Sequence, residues 1–378
     1  MLGIRPFAAL TIALAVLNLS ATAAETVKIG LVNETTGPNA EAGQFTVNGA
    51  QLAQEEINKA GGILGRQIEF RVEDNQSSNP GTVLAYSKLI GEGGIAAIVG
   101  PIRSTQIKAA SPTIAKGGIP AMVGGTDTSL TKVNNKWLFR VRPNDSYSSK
   151  VIAQYGTNEL KIKKWAIVHS TDAFGSGGKE ALVAELKALG MEPVLIQGYT
   201  NNSQDFTPIV LAIKQSGADG LGTYMTNSPD AGIFAKQLRQ LGVTIPWIGS
   251  PSIISVTTLK LAGEALYDTT SVADFTTDAS DETRAFTKKY NAKYGLDPDV
   301  YSSWAYGAMY ILKTAMEAAK STEPEKVRAA ILAIRGFKGV EGTYDFDQNG
   351  DGVHGYNVVR NDKGKITFIK HIEFPPPK

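Results

Sequence analysis

Residues 98–106 read IVGPIRSTQ, and the reading of this stretch decides the fold. An apolar run stops at Gly100-Pro101, one basic residue follows, and Ser104, Thr105 and Gln106 open a helical pattern. A similar ending recurs in IPAMVGGTDTS (119–129), where Gly124, Gly125 and Thr126 follow the apolar residues. Continuously apolar strands that alternate with helices belong to parallel sheets covered on both faces. In an open sheet of that kind, ligands sit beyond the carboxyl ends of the strands. A glycine there lets the backbone come close to a ligand, and the next helix offers unpaired N–H groups and a partial positive charge. Ser104 and Thr126 add hydroxyl donors. Two such endings in one region point to an anion site.

The alternation extends outward in both directions. TVKIGLVNE (26–34) reads as a strand followed by the turn-rich TTGPNAEAG, and NGAQLAQEEINKA (48–60) as a helix stopped by Gly61-Gly62. QIEFRVEDN (67–75) is a strand and TVLAYSKLIGEG a helix. The rhythm resumes after residue 145, with strands at 165–171, 192–200 and 219–226 leading to helices at 175–189, 206–216 and 231–241. IPWIGSP (245–251) and LYDTTSVADF (266–275) add strands. Helices are expected around 280–293, 301–320 and 323–334, ahead of an extended tail over 356–372. Pro112 is expected near a helix start or at a kink. The pattern is α/β, with two similar lobes. No Gly/Ser linker separates them, so short strands would act as the hinge.

Composition narrows the function. The chain has 378 residues, enough for two domains, and its 38 basic and 36 acidic side chains leave a net charge of +2 without a basic tract. That gives no footprint for nucleic acid or anionic lipid. Residues 1–24 differ from the rest: Arg5 precedes PFAALTIALAVLNLS, and ATAAE supplies small residues for cleavage after Ala23 or Ala24. This is the layout of a secretory signal peptide, its apolar core short of the ~20 residues a membrane span needs. With no cysteine in the chain, neither a disulfide nor a lipid-modified cysteine is available, and the mature protein is expected free in the periplasm.

Enzymatic signatures are missing. There is no G-x-S-x-G elbow and no H-E-x-x-H helix, and His169, His354 and His371 are scattered, His169 reading as a strand end. FGSGGK (174–179) lacks the first glycine of a phosphate loop, which would fall on Ala173, and has Glu180 in place of the hydroxyl, so it reads as a helix start. DFDQNGDG (345–352) has Asp345, Asp347, Asn349 and Gly350 in register with a calcium loop, but Tyr356 stands where a bidentate glutamate is needed, so it reads as a tight turn. No metal or cofactor is expected. The anion should be a carboxylate: Arg103 is the one adjacent cation, and hydroxyl and amide donors suffice at ~1.5–3 kcal/mol per charged bond.

KIGLVNETTGPNAEAG, NGAQLAQEEINKAGGILGRQIEF, IVGPIRS, PAMVGGTDTSLT, DAFGSGG, DFTPIVLAIKQSGADG and KQLRQLGV occur in that order over nearly the whole mature chain. Together they resemble the periplasmic leucine/isoleucine/valine-binding proteins, receptors of branched-chain amino-acid-type ABC importers. The resemblance implies the type I periplasmic binding protein fold: two Rossmann-like α/β lobes with parallel-core sheets, joined by a three-strand hinge and closing on ligand. It places lobe 1 in residues 25–145 and 275–348, and lobe 2 in 146–274 and 349–378. It also implies that Ser104 and Thr126 hold the ligand carboxylate and that the Gly124 carbonyl accepts from a ligand amine, with Gly125 beside it. Phe174 falls at the mouth of the second lobe, Asn227 or Ser228 where a second-lobe side chain reaches the ligand, and Ala42, in the loop after the first strand, where a bulky aromatic can pack on it.

One departure bears on the ligand. The amino-acid binders carry an acid after the W-I-G-type strand to pair the ligand ammonium, whereas WIGSPSII places Pro251 there, with Ser250 and Ser252 beside it. A buried ammonium without a counter-charge costs several kcal/mol. Either Asp127, Glu41 or Asp230 substitutes, or the ligand has no amine; small Ala42 and apolar Phe174 fit a bulkier, even aromatic, carboxylic acid. The family function implies a small-molecule carboxylate or amino acid and membrane permease subunits as partners, no nucleic acid, and a monomer. The alternatives are a sensory module of the same fold, for which no fused signalling segment is evident, and an α/β enzyme.

Overall fold

The structure, a computed structural model, describes residues 25–375, so the leader expected over 1–24 lies outside the described residues. The first sheet is built from β1 (Val27–Asn33), β2 (Ile68–Asp74), β3 (Ile95–Val99), β4 (Ala121–Val123) and β5 (Leu138–Arg140). Its order is β2-β1-β3-β4-β5 and every pair is parallel. Helices α1 (Ala40–Lys59), α2 (Asn79–Glu92) and α3 (Ser104–Gly117) connect its strands.

The second sheet follows α4 (Asp145–Asn158) and has the order β14-β13-β10-β9-β8-β6-β7. Its parallel part comprises β6 (Trp165–Ser170), β7 (Leu195–Tyr199), β8 (Gly220–Tyr224), β9 (Trp247–Gly249) and β10 (Thr270–Ala273). The connecting helices are α5 (Ala173–Ala188), α6 (Thr207–Ser216), α7 (Ser228–Gln240) and α8 (Val256–Ala262). The chain then returns to the first lobe with α9 (Asp281–Tyr294), α10 (Val300–Ala319), α11 (Pro324–Leu332) and a small hairpin, β11 (Phe337–Gly339) and β12 (Gly342–Tyr344). It ends on the second sheet, where β13 (Gly355–Asp362) and β14 (Lys365–Glu373) form an antiparallel edge.

The inner strands of each sheet are covered on both faces, which is why β3, β6 and β8 are buried along their whole length, whereas the edge strands β2, β7 and β14 carry exposed or polar positions between apolar ones. In the first lobe Leu31, Val99 and Phe139 pack with Phe45 of α1 and Trp304 and Ile311 of α10. On the other face Val32, Ile98 and Val123 meet Tyr86 of α2 and Ile107 of α3. In the second lobe Val168 and Trp247 pack against Phe234 of α7, and Ile167 and Ile248 against Val151 and Leu182. The glycine that ends β3 also has a local cause. Gly100 holds φ +109°, and a Cβ there would lie 2.0 Å from the Val32 carbonyl of the neighbouring β1.

Two local expectations are corrected. Helix α1 starts at Ala40, eight residues before the expected 48, so Ala42 sits in a helical first turn, buried in the core, rather than in a loop. The local glycine and proline hid this start. Gly43 is where the new turn packs against the Glu34 carbonyl, which a Cβ would approach to 1.9 Å. Pro112 lies well inside α3, so of its two expected places the helix start is the one ruled out. The carbonyl it leaves without a donor belongs to Lys108, an exposed residue, where water can serve instead. The 345–352 segment is a turn: the Asp347 carboxylate accepts from the N–H of Asn349 (2.8 Å) and of Asp351 (3.0 Å).

The chain crosses between the sheets three times: between Arg140 and Asp145, between Ala273 and Asp281, and between Tyr344 and Gly355. Buried polar bonds tie these crossings together. Arg140 Nε donates to Asp351 at 2.7 Å, and Arg142 Nε to Asp274 at 2.5 Å. Tyr344 Oη lies 2.9 Å from the Val141 carbonyl and 2.7 Å from Glu341 Oε2. One hydroxyl proton cannot serve both acceptors. A protonated Glu341 resolves the conflict by donating to Tyr344, and burial pushes its pKa up to about 8. A raised folded-state pKa contributes stability that is whole below the ordinary 4.5 and is lost as pH rises through about 8. The expected loss for Glu341 over that window is on the order of 3–4 kcal/mol. Denaturant unfolding at pH 5, 6, 7 and 8 should therefore give a flatter pH profile for Glu341→Gln than for the wild type; parallel profiles would show Glu341 ionised in the fold.

Candidate ligand-binding cleft

The carboxyl ends of both sheets face one another across a cleft, so the N-termini of α3, α5, α7 and α10 all open towards it. The cavity between the lobes is lined by Ile102, Arg103, Ser104, Thr126, Arg142, Phe174, Thr226, Pro251, Ser252, Val300 and Tyr301. Direct bonds cross from lobe to lobe around it. Arg103 Nη1 donates to the Thr226 carbonyl at 2.9 Å, the Ala173 N–H donates to Thr105 Oγ1 at 3.0 Å, and the hydroxyls of Ser228 and Tyr301 are 3.2 Å apart.

The structure brings Ser104, Thr126, Phe174 and Ser252 together on this cavity, with Pro251 beside them. Helix α3 has no side-chain cap, so its first N–H groups are not consumed locally. Ser104 Oγ accepts from the Asp127 N–H at 3.2 Å, which leaves its own proton for a ligand. Thr126 Oγ1 lies 3.0 Å from Asp145, whose pKa burial pushes up to about 7. Phe174 is half-buried and packs edge-on to Tyr224, ring centroids 5.7 Å apart. Ser252 Oγ is 3.0 Å from Ser250 Oγ.

The other candidate residues stand off the cavity. Gly125 is packed beneath it: a Cβ there would meet Ile107 at 2.5 Å. Ala42 belongs to the core. Asn227 donates to Asn202 at 3.2 Å, and Ser228 bonds Ser255 at 2.8 Å as well as Tyr301. The Gly124 carbonyl is taken by Arg142 Nη1 at 2.9 Å. None of the three candidate counter-charges lines the cavity. Glu41 is exposed, Asp127 is paired with Lys108 at 2.9 Å, and Asp230 accepts from the Asn202 N–H at 3.0 Å. Burial pushes the Asp230 carboxyl up to about 6.

Hydroxyls and amides are not the only donors, as the sequence had suggested. Two buried guanidiniums line the cavity. Arg103 donates through Nε to both Glu34 oxygens at 3.2 Å, lies 5.4 Å from the Tyr301 ring centroid, and has a buried Nη2 with no partner among the described residues. Arg142 is held by Asp274 and Gly124. Both arginine pKa values are raised; burial opposes this, and the paired carboxylates, Glu34 and Asp274, outweigh it. Val300 and Tyr301, at the start of α10, complete the wall; their distance in sequence from the other lining residues concealed them. Among the described residues, no three His, Cys, Asp or Glu side chains converge as a metal site would require, and no helix is long and apolar enough to cross a membrane.

Comparison with known proteins agrees with this architecture. An amino acid binding protein of Pseudomonas aeruginosa is 30% identical over 355 residues, covering 93% of this chain and 94% of that protein. The Leu/Ile/Val-binding protein BraC3 of Rhizobium johnstonii is 30% identical over 348 residues, covering 90% and 93%. The solved structure of the branched-chain amino acid transporter substrate binding protein LivJ of Streptococcus pneumoniae, in complex with isoleucine, superposes with a TM-score of 0.85 at 26% identity, covering 92% of this chain and 100% of that one. The sequence profile of the periplasmic binding proteins matches residues 26–365, and with two such lobes closing on one cleft, this chain belongs to that family.

Proposed function

We propose that the chain is the solute receptor of a branched-chain amino-acid-type ABC importer and that it captures a carboxylic acid without a free ammonium. Ligand shifts the lobes towards closure, and the closed form is presented to a membrane permease. The observation that supports the acid is the charge lining the cavity: two guanidiniums and no carboxylate. A ligand carboxylate would take the Nη2 of Arg103, the Ser104 hydroxyl and the open N-terminus of α3. An ammonium would meet two guanidiniums whose carboxylate partners, Glu34 and Asp274, are already taken, and no free counter-charge on the lining. Relatives named for amino acids share the fold, and on this reading the ligand differs from an amino acid in lacking the ammonium.

Thermal unfolding with matched pairs tests the proposal: leucine against its α-keto acid, and phenylalanine against phenylpyruvate and benzoate. At ligand about 100 times its Kd, an amine-free acid should add about 2.7 kcal/mol of stability, while the amino acids add none. Stabilisation by leucine and not by the keto acid would overturn the amine-free ligand. No response to any carboxylate would overturn the carboxylate.

A further inference from the structure

We propose that Arg142 is a resident cation in the seat that a ligand ammonium would otherwise take, and so sets the selectivity of the cleft. This assignment rests on the receptor function proposed above. Arg142 lines the cavity, and each of its three nitrogens already donates within the protein. Nε donates to Asp274 Oδ2 at 2.5 Å, Nη2 to Asp274 Oδ1 at 3.3 Å, and Nη1 to the Gly124 carbonyl at 2.9 Å. A carboxylate and a carbonyl converging on one cation make the acceptor set that the three N–H bonds of an ammonium require. Among the described residues Asp274 has no other cationic partner.

The site is therefore an ammonium pocket with its charge supplied by the protein. Arg142 lies in the first crossing between the lobes and Asp274 in the second, so the pair is fixed to the hinge rather than to either binding face. A ligand with its own ammonium finds these acceptors saturated and a like charge in front of them. A ligand without one is not penalised.

Arg142→Ala removes the guanidinium and leaves Asp274 and the Gly124 carbonyl facing the gap. In calorimetry, R142A should bind leucine about 10- to 100-fold more tightly than the wild type does, the worth of one charge-assisted interaction. The double variant R142A/D274N should lose that gain. A folded R142A that still rejects leucine, alongside a wild type that binds the keto acid, overturns the role of Arg142 and leaves the receptor function standing. A wild type that prefers leucine overturns the receptor's ligand class instead. Should R142A fail to fold, Asp274→Asn decides. It keeps a hydrogen-bonding partner but frees the guanidinium's charge for the cavity, so keto-acid binding should tighten several-fold; unchanged or weaker binding overturns the assignment.

Discussion

A chain carrying Arg103→Met together with Glu34→Gln should bind the amine-free acid about 100-fold or more weakly than the wild type, while unfolding at nearly the same temperature. Among the described residues Arg103 holds the one guanidinium nitrogen of the cleft that is buried and unpartnered, and its other arm reaches the Thr226 carbonyl of the opposite lobe. In the proposed binding mode, removing it takes away a ligand bond together with the bond to the opposite lobe. Methionine keeps an apolar stem against Tyr301. The second substitution matters because Glu34 is buried and would otherwise lose its cation, keeping only the amides of Gln106 and Asn39. Arg103→Met alone should therefore also cost about 3–5 kcal/mol of stability. Calorimetry and thermal unfolding on the three chains separate these effects. Wild-type affinity in the double variant would reduce Arg103 to a clasp between lobes.

Gly49→Ala should strongly destabilise the chain's first lobe. Gly49 lies on α1 where it crosses α10, and a Cβ there would stand 2.0 Å from the Ser302 carbonyl oxygen and 3.0 Å from its Cα. Backbone cannot rotate aside as a side chain can, so the helices must separate. The expected cost is on the order of 3–5 kcal/mol, a fall in Tm of roughly 10 °C. Ligand affinity should fall too, because Val300 and Tyr301 ride on the displaced end of α10. Gly91→Ala is the control. It is exposed in α2 with nothing within 4 Å of a Cβ, and the same methyl should stabilise by about 0.5–1 kcal/mol. If both variants unfold alike, the α1–α10 contact is looser than the structure has it.

The architecture was legible because local signals agreed with the global fold. Runs such as IVG and WAIV are short, wholly apolar and followed by helix-forming stretches, which only a sheet buried on both sides explains. The cleft was half legible. Ser104 and Thr126 stand at strand ends that the pattern marks, and Phe174 and Ser252 came from the resemblance. Arg142 escaped because its meaning depends on Asp274, 132 positions away. Without that partner it reads as one more surface charge. Arg103 was visible as the nearest cation, but not as a residue whose fork is divided between Glu34 and the second lobe. The early start of α1 was hidden by Pro38, which lies in the turn just before it, and by Gly43, which the helix uses to pack against the Glu34 carbonyl.

The discontinuous build of the first lobe has a consequence for how the chain comes into being. Phe45 and its neighbours on α1 are covered by α10, whose residues emerge from the ribosome some 260 positions later. Until then the amino-terminal half has a sheet with one side bare and cannot settle. Such remote pairing slows collapse, and slow collapse keeps a polypeptide threadable. Were the chain exported unfolded, as the expected leader would require, having its earliest helix wait for one of its last would keep it fit for passage.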